Sequence, residues 1–94
     1  MIASEGEVLR LEGPLTMATV APLLEEGCRA AAAADRVVDL SAVTVADSAA
    51  LALLFAWLRS ARANGRRLVL RGVPAGLQSL AVLYGVDGLL PLDA

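Results

Sequence analysis

Apolar positions fall into short runs and helical stripes, and the clearest of them lie within residues 36–71. Val37, Val38 and Leu40 form a β-branched run, and Leu68, Val69 and Leu70 form a second one. Between them Leu51, Leu54, Phe55 and Leu58 recur at i, i+3, i+4, i+7. The spacing predicts strand, loop, helix, strand. Continuous rather than alternating runs suit parallel strands covered on both faces, and a helix between two such strands makes a right-handed crossover. Either Asp47 or Ser48 supplies the N-cap. Arg59 and Arg62 suit the dipole of the closing turns, and Asn64-Gly65 ends the helix.

The flanks continue the alternation. Residues 7–12 alternate weakly up to Gly13-Pro14, as an edge or near-edge strand does, and residues 1–6 form a loose arm or the start of a hairpin. Thr19 as N-cap places Pro22 in the first turn of a helix that runs to about residue 34. Pro74, at or near N1, opens a third helix with Leu77, Leu80, Ala81 and Tyr84 at i, i+3, i+4, i+7, and Gly85 closes it. Residues 86–92 add one turn or a marginal edge strand. Helices alternating with strands make the class α/β, with two helices sharing one face of a small sheet.

Composition narrows the function more than it names one. A length of 94 residues predicts a single domain over 1–94. Net charge is −2, every cation is Arg, and no basic stripe stands out, which argues against a nucleic-acid partner. The absence of His removes His-based catalysis and most transition-metal sites. Cys28 is single, so it reads as a structural thiol. The start of the chain carries no signal-peptide pattern, and the expectation is a cytoplasmic protein. The longest uncharged apolar run, residues 49–58, falls short of the roughly 20 residues of a membrane span. A hydrophobic fraction of 57% in so small a chain implies an apolar partner surface.

Candidate chemistry is sparse. The glycines never fall as GxGxxG or as a phosphate loop. Asp39 and Asp47 are placed together beyond the end of the strand opening at Arg36, where they either bind a divalent cation or cap turns. Ser48 has no His or Lys to activate it. The chain therefore reads as a non-enzyme with no cofactor and no metal, and Trp57 reads as packing. The Ser48 hydroxyl, at a helix N-terminus, faces unpaired backbone N–H groups and can meet a phosphate or a partner's carboxylate; the plainer role for Asp47 and Ser48 is capping.

In order along the chain, residues 12–16 (Glu-Gly-Pro-Leu-Thr), 37–41 (Val-Val-Asp-Leu-Ser), 47–51 (Asp-Ser-Ala-Ala-Leu), 59–65, 67–70 and 84–92 together resemble the STAS domain, named for sulphate transporters and anti-sigma factor antagonists. The resemblance implies a small mixed β-sheet with helices packed on one side. In anti-sigma factor antagonists the turn typically reads Asp-Ser-Ser-Gly-Leu and its second Ser is phosphorylated. Here those positions are Ala49 and Ala50, which leaves Ser48 as the candidate acceptor. The small-residue turn, Pro22 and residues 80–85 are more similar to the MlaB-type branch, the STAS subunit of the bacterial phospholipid ABC transporter that maintains outer-membrane lipid asymmetry. That resemblance implies a non-catalytic subunit bound to the transporter's cytoplasmic ATPase, and through it to the permease at the inner membrane. Asp47, Ser48, Ala49, Leu51, Trp57 and Tyr84 are the implied partner-binding residues. The alternative is an anti-sigma factor antagonist in a partner-switching pathway.

Overall fold

The computed structural model describes residues 2–92. The elements run β1 (Ile2–Glu5), β2 (Val8–Leu15), α1 (Ala21–Ala33), β3 (Arg36–Ala46), α2 (Ser48–Ala63), β4 (Leu68–Arg71) and α3 (Ala75–Leu83), followed by a single 3-10 turn, Asp87–Leu89. The strands make one sheet in the order β1-β2-β3-β4, antiparallel between β1 and β2 and parallel thereafter. This is the expected α/β fold with a small mixed sheet. The two parallel crossovers advance across the sheet in the same direction, and right-handedness puts both α1 and α2 on one face. α3 joins them there, since Leu77 and Ala81 belong to the same buried cluster as Leu54 and Trp57.

One face of the sheet is packed and the other is open, which corrects the expectation of strands covered on both sides. Leu9, Leu11, Val38, Leu40, Leu68 and Leu70 point into the core. Alternate residues form rows on the open face: Val8, Val37 and Val69 in one register, Arg10, Asp39 and Arg71 in the next. The apolar runs looked continuous because β-branched residues serve a half-exposed row as well as a core.

The boundaries differ from the sequence expectation at β3 and α1, and the open readings at both ends of the chain are resolved. Residues 2–6 do start a hairpin, with Gly6 at φ +62 in the two-residue turn. β2 is consequently the near-edge strand, with β1 outside it. β3 continues to Ala46 through Val43-Thr44-Val45, a segment read as loop, and pairs with Glu12, Gly13, Pro14 and Leu15 across two register shifts. At α1 the cap position is Val20, with no side-chain cap, and Pro22 still falls in the first turn. The Thr19 hydroxyl is used instead to close the preceding turn: it accepts from Thr16 N (2.8 Å) and donates to Pro14 O (2.9 Å). Pro74 sits at the cap of α3, just before its first residue. The tail satisfies both readings, as one 3-10 turn followed by a single parallel bridge from Leu92 to Leu70.

The α1–α2 contact carries the largest buried side chain. Trp57 is completely buried, and its Nε1 donates to Leu24 O (3.1 Å). It fits because residue 27 is glycine: a Cβ there would fall within the Trp57 ring atoms. Ser60 Oγ donates to Cys28 O (2.9 Å) one turn along. Cys28 is half-buried beside the same seam.

Asp39 lies mid-strand on the open face and is nearly buried. Its Oδ1 accepts from Ser41 N (2.9 Å) and Ser41 Oγ (2.7 Å), and Oδ2 is 3.8 Å from Arg10. The Ser41 N–H, then its hydroxyl, hold this carboxyl below its usual pKa against the opposing effect of burial, with Arg10 and Arg71 adding to them. A pKa lowered by folding means that the stabilisation is complete above the unfolded value and is lost as pH falls through the folded one. Ser41→Ala is expected to raise the Asp39 pKa towards its unfolded value and so to shrink the part of the stability that is lost in acid. An NMR titration of the Asp39 carboxyl checks it, and an unchanged midpoint would leave the shift to the backbone N–H of residue 41 and the arginines.

Candidate functional site

The Asp47–Leu51 turn sits at the carboxyl ends of the parallel strands, the usual location of sites in α/β sheets. β3 delivers Asp47 directly, and α2 begins at the next residue. Asp47 is the N-cap. Its Oδ1 accepts from Ala49 N (2.8 Å), and its Oδ2 accepts from Met17 N (3.1 Å) in the loop after β2. Its backbone N–H reaches Leu15 O (3.3 Å). A single carboxylate thus caps α2 and ties two strand-end loops together. It is not paired with Asp39, which lies eight residues earlier, roughly 25 Å along the strand. Among the described residues no three His, Cys, Asp or Glu side chains gather as a metal site.

Ser48 is the first residue of α2 and is exposed. Its hydroxyl makes no hydrogen bond among the described residues, because Asp47 has taken the capping role. Ala49 is half-buried and lines a shallow apolar groove between α1 and α2, shared with Val20, Leu24, Ala52 and Ala56. Leu24 is exposed along one wall. Met17, 77% exposed, projects from the loop that Asp47 holds, and exposed Val45 lies just before Asp47 at the end of β3. The arrangement is a free hydroxyl at a helix N-terminus, framed by apolar side chains.

Three implied contact residues are elsewhere. Leu51 and Trp57 point into the core, at 4% and 0% exposure, so they shape the surface from beneath and cannot line it. Tyr84 is exposed, but it follows the last turn of α3. α2 and α3 both start from carboxyl ends of parallel strands and run back down the sheet. Tyr84 therefore lies at the opposite end from Ser48, with α2 spanning about 24 Å between the two ends. The i+7 position of its stripe falls just outside the helix, which is why Tyr84 leaves the core. Met17 and Val45 carry no periodic signal in the sequence, and Leu24, which the sequence places with Leu23 and Cys28 on the apolar stripe of α1, is exposed.

No helix among the described residues is long and apolar enough to cross a membrane. No curated protein matches the chain. Two solved structures share its fold at low identity. The anti-sigma factor antagonist SpoIIAA in its unphosphorylated form aligns at a TM-score of 0.69 and 17% identity, over 85% of this chain and 78% of that one. A putative anti-sigma factor antagonist from Thermotoga maritima aligns at 0.75 and 16%, over 100% and 86%. A family model described as MlaB, STAS domain, matches residues 1–91. With that match over nearly its whole length, the chain belongs to the MlaB-type STAS domain family.

Proposed function

We propose that this chain is a non-catalytic accessory subunit that binds and supports the cytoplasmic ATPase of a phospholipid-transport ABC system, working at the inner membrane through that partner. The observation that carries the proposal is the exposed, unengaged Ser48 hydroxyl beside Ala49, where a small side chain leaves the α1–α2 groove open. The MlaB-type family match supports the same reading. In it Ser48 fixes the register of the contact by one hydrogen bond, Asp47 holds the turn rigid, and Met17 and Leu24 contribute apolar burial.

Substitution at Ser48 separates binding from folding. Ser48→Glu puts a carboxylate at a helix N-terminus, where the dipole favours it, so stability is expected to change by less than about 0.5 kcal/mol. Affinity for the ATPase is expected to fall at least about tenfold, through desolvation and crowding at the contact. Ser48→Ala is expected to weaken it by a smaller factor. Titration of the purified ATPase against the three proteins reads this directly, and unchanged affinity in both variants removes Ser48 from the site.

The second reading, an anti-sigma factor antagonist, is favoured by the descriptions of both solved neighbours. It needs a phosphorylated hydroxyl in the turn, and position 49 has none. Affinity capture from the native cells distinguishes the two. An ABC ATPase with its permease supports the transporter reading. A switch kinase that phosphorylates Ser48 from ATP overturns it.

A further inference from the structure

The arginines look scattered along the chain, but the fold collects half of them in one place. Arg59 and Arg62 lie on the closing turns of α2, Arg66 and Arg67 in the loop before β4. Two adjoining hollows, one of about 300 Å³, run along this end between α2 and the residues after α3. Phe55, Leu58, Val86 and Leu89 supply their apolar lining, and among the described residues no Asp or Glu lines either one. None of the four side chains makes an ion pair or hydrogen bond among the described residues. Nor are they used to cap α2: its last carbonyls accept instead from Asn64 N, Gly65 N, Arg66 N and Asn64 Nδ2. In a chain of net charge −2, four uncommitted cations around an apolar groove are a local feature and not a reflection of overall charge.

Shape and chemistry select the occupant. Phe55, Leu58 and Val86 are half-buried, so the apolar surface is a recessed floor and the cations form its rim. A recessed floor takes a ridge of side chains better than a flat bilayer. Arg59 and Arg62 are one helical turn apart on α2, about 5 Å along its axis, and Arg66 follows in the loop beyond the helix cap. Guanidinium forks pair bidentately with carboxylates. We propose that this groove docks an acidic amphipathic segment of a partner protein, with apolar side chains on Phe55, Leu58 and Val86 and carboxylates on Arg59, Arg62 and Arg66. The surface lies at the end of α2 away from Ser48, and Arg59 stands between it and the α1–α2 groove.

The test uses the full chain and fluorescence anisotropy with a labelled four-turn amphipathic peptide carrying Leu on one face and Glu beside it. A second peptide replaces Glu by Lys. The Glu peptide is expected to bind and the Lys peptide not, and raising salt from about 50 to about 300 mM should weaken binding about tenfold. Arg59→Glu with Arg62→Glu should abolish it, Leu89→Ser should weaken it, and Arg29→Glu on α1 should leave it unchanged. Should the reversal unfold the chain, as circular dichroism would reveal, Arg59→Gln with Arg62→Gln takes its place and is expected to weaken binding severalfold. Equal binding of the two peptides, no binding of either, or full binding by the double variant overturns the proposal. So do two other results: vesicles of phosphatidylglycerol bound through these arginines while the Glu peptide is ignored, which makes the surface a membrane contact, and self-association lost in the double variant, which makes the occupant a second copy.

Discussion

Gly27→Ala is expected to destabilise the chain by about 3 kcal/mol or more, at the upper end of what overpacking does. A glycine inside a helix is itself unfavourable by roughly 1 kcal/mol relative to alanine, so on propensity alone the substitution should help. The structure reverses the sign. A Cβ at position 27 would occupy the space of Trp57 Cε2, Cζ2 and Nε1. Trp57 cannot swing aside, because it is wholly enclosed between α1 and α2 and its Nε1 is held by Leu24 O. The helices would have to separate, which would also strain the Ser60–Cys28 hydrogen bond. Trp57→Ala is expected to destabilise by about 3–5 kcal/mol through the cavity it leaves. The two sites touch, so their effects will not add. In a Trp57→Leu background Gly27→Ala should become neutral or stabilising, since the obstruction is gone and the propensity gain remains. Urea denaturation of the four proteins measures this cycle, and an equal penalty in both backgrounds would show that contact with Trp57 is not the cause.

That pair also marks where sequence reading stops. Period was informative wherever one element packs one face: Leu51, Leu54 and Leu58 located α2, Leu77 and Ala81 located α3, and both are largely inside. Asp47 and Asn64-Gly65 bounded α2 correctly, because capping is a local interaction. What depends on long-range contact was not legible. Gly27 carries its meaning only once Trp57, thirty residues later, is laid against it. Val43-Thr44-Val45 looked like loop because its partner strand, around Gly13-Pro14, has turn composition and pairs only with register shifts. The arginine cluster had a signal in Arg59, Arg62 and Arg66 at i, i+3, i+7. It became a rimmed groove only when the residues after α3 folded back beside α2. At the Ser48 turn the residues were identifiable as a local motif, while their apolar surroundings, Met17 and Leu24, arrive from other elements.

Asp47→Ala is expected to remove about 1.5–3 kcal/mol of stability, and it tests whether the turn acts as a preorganised unit. Two parts make up that figure. Loss of an N-cap destabilises by about 0.5–2 kcal/mol, including the favourable placement of a negative charge at the helix N-terminus. Loss of the bond from Met17 N, and with it the tie between the loop after β2 and the start of α2, adds about 1 kcal/mol. The parts separate by substitution. Asp47→Ser keeps a capping oxygen for Ala49 N but has no second oxygen to reach Met17 N, so it should recover the first part alone. Asp47→Asn offers one acceptor oxygen and directs an N–H₂ donor at the other N–H, so it too can satisfy only one. Amide hydrogen exchange gives a residue-level readout: Ala49 and Met17 should both exchange faster in Asp47→Ala, and Met17 alone in Asp47→Ser. Unchanged Met17 exchange in Asp47→Ala would mean that the loop is held by Thr16 and Thr19, whose own hydrogen bonds close its turn. The same series bears on binding. In the proposed role Ser48 meets its partner with a hydroxyl whose position is set by Asp47, and ordering a loosened turn on association would subtract from affinity. Asp47→Ser should therefore bind the partner at Ser48 more weakly than the parent although its helix is still capped. Parental affinity in Asp47→Ser would show that Ser48 needs only the helix N-terminus, and that the tie to Met17 serves the fold alone.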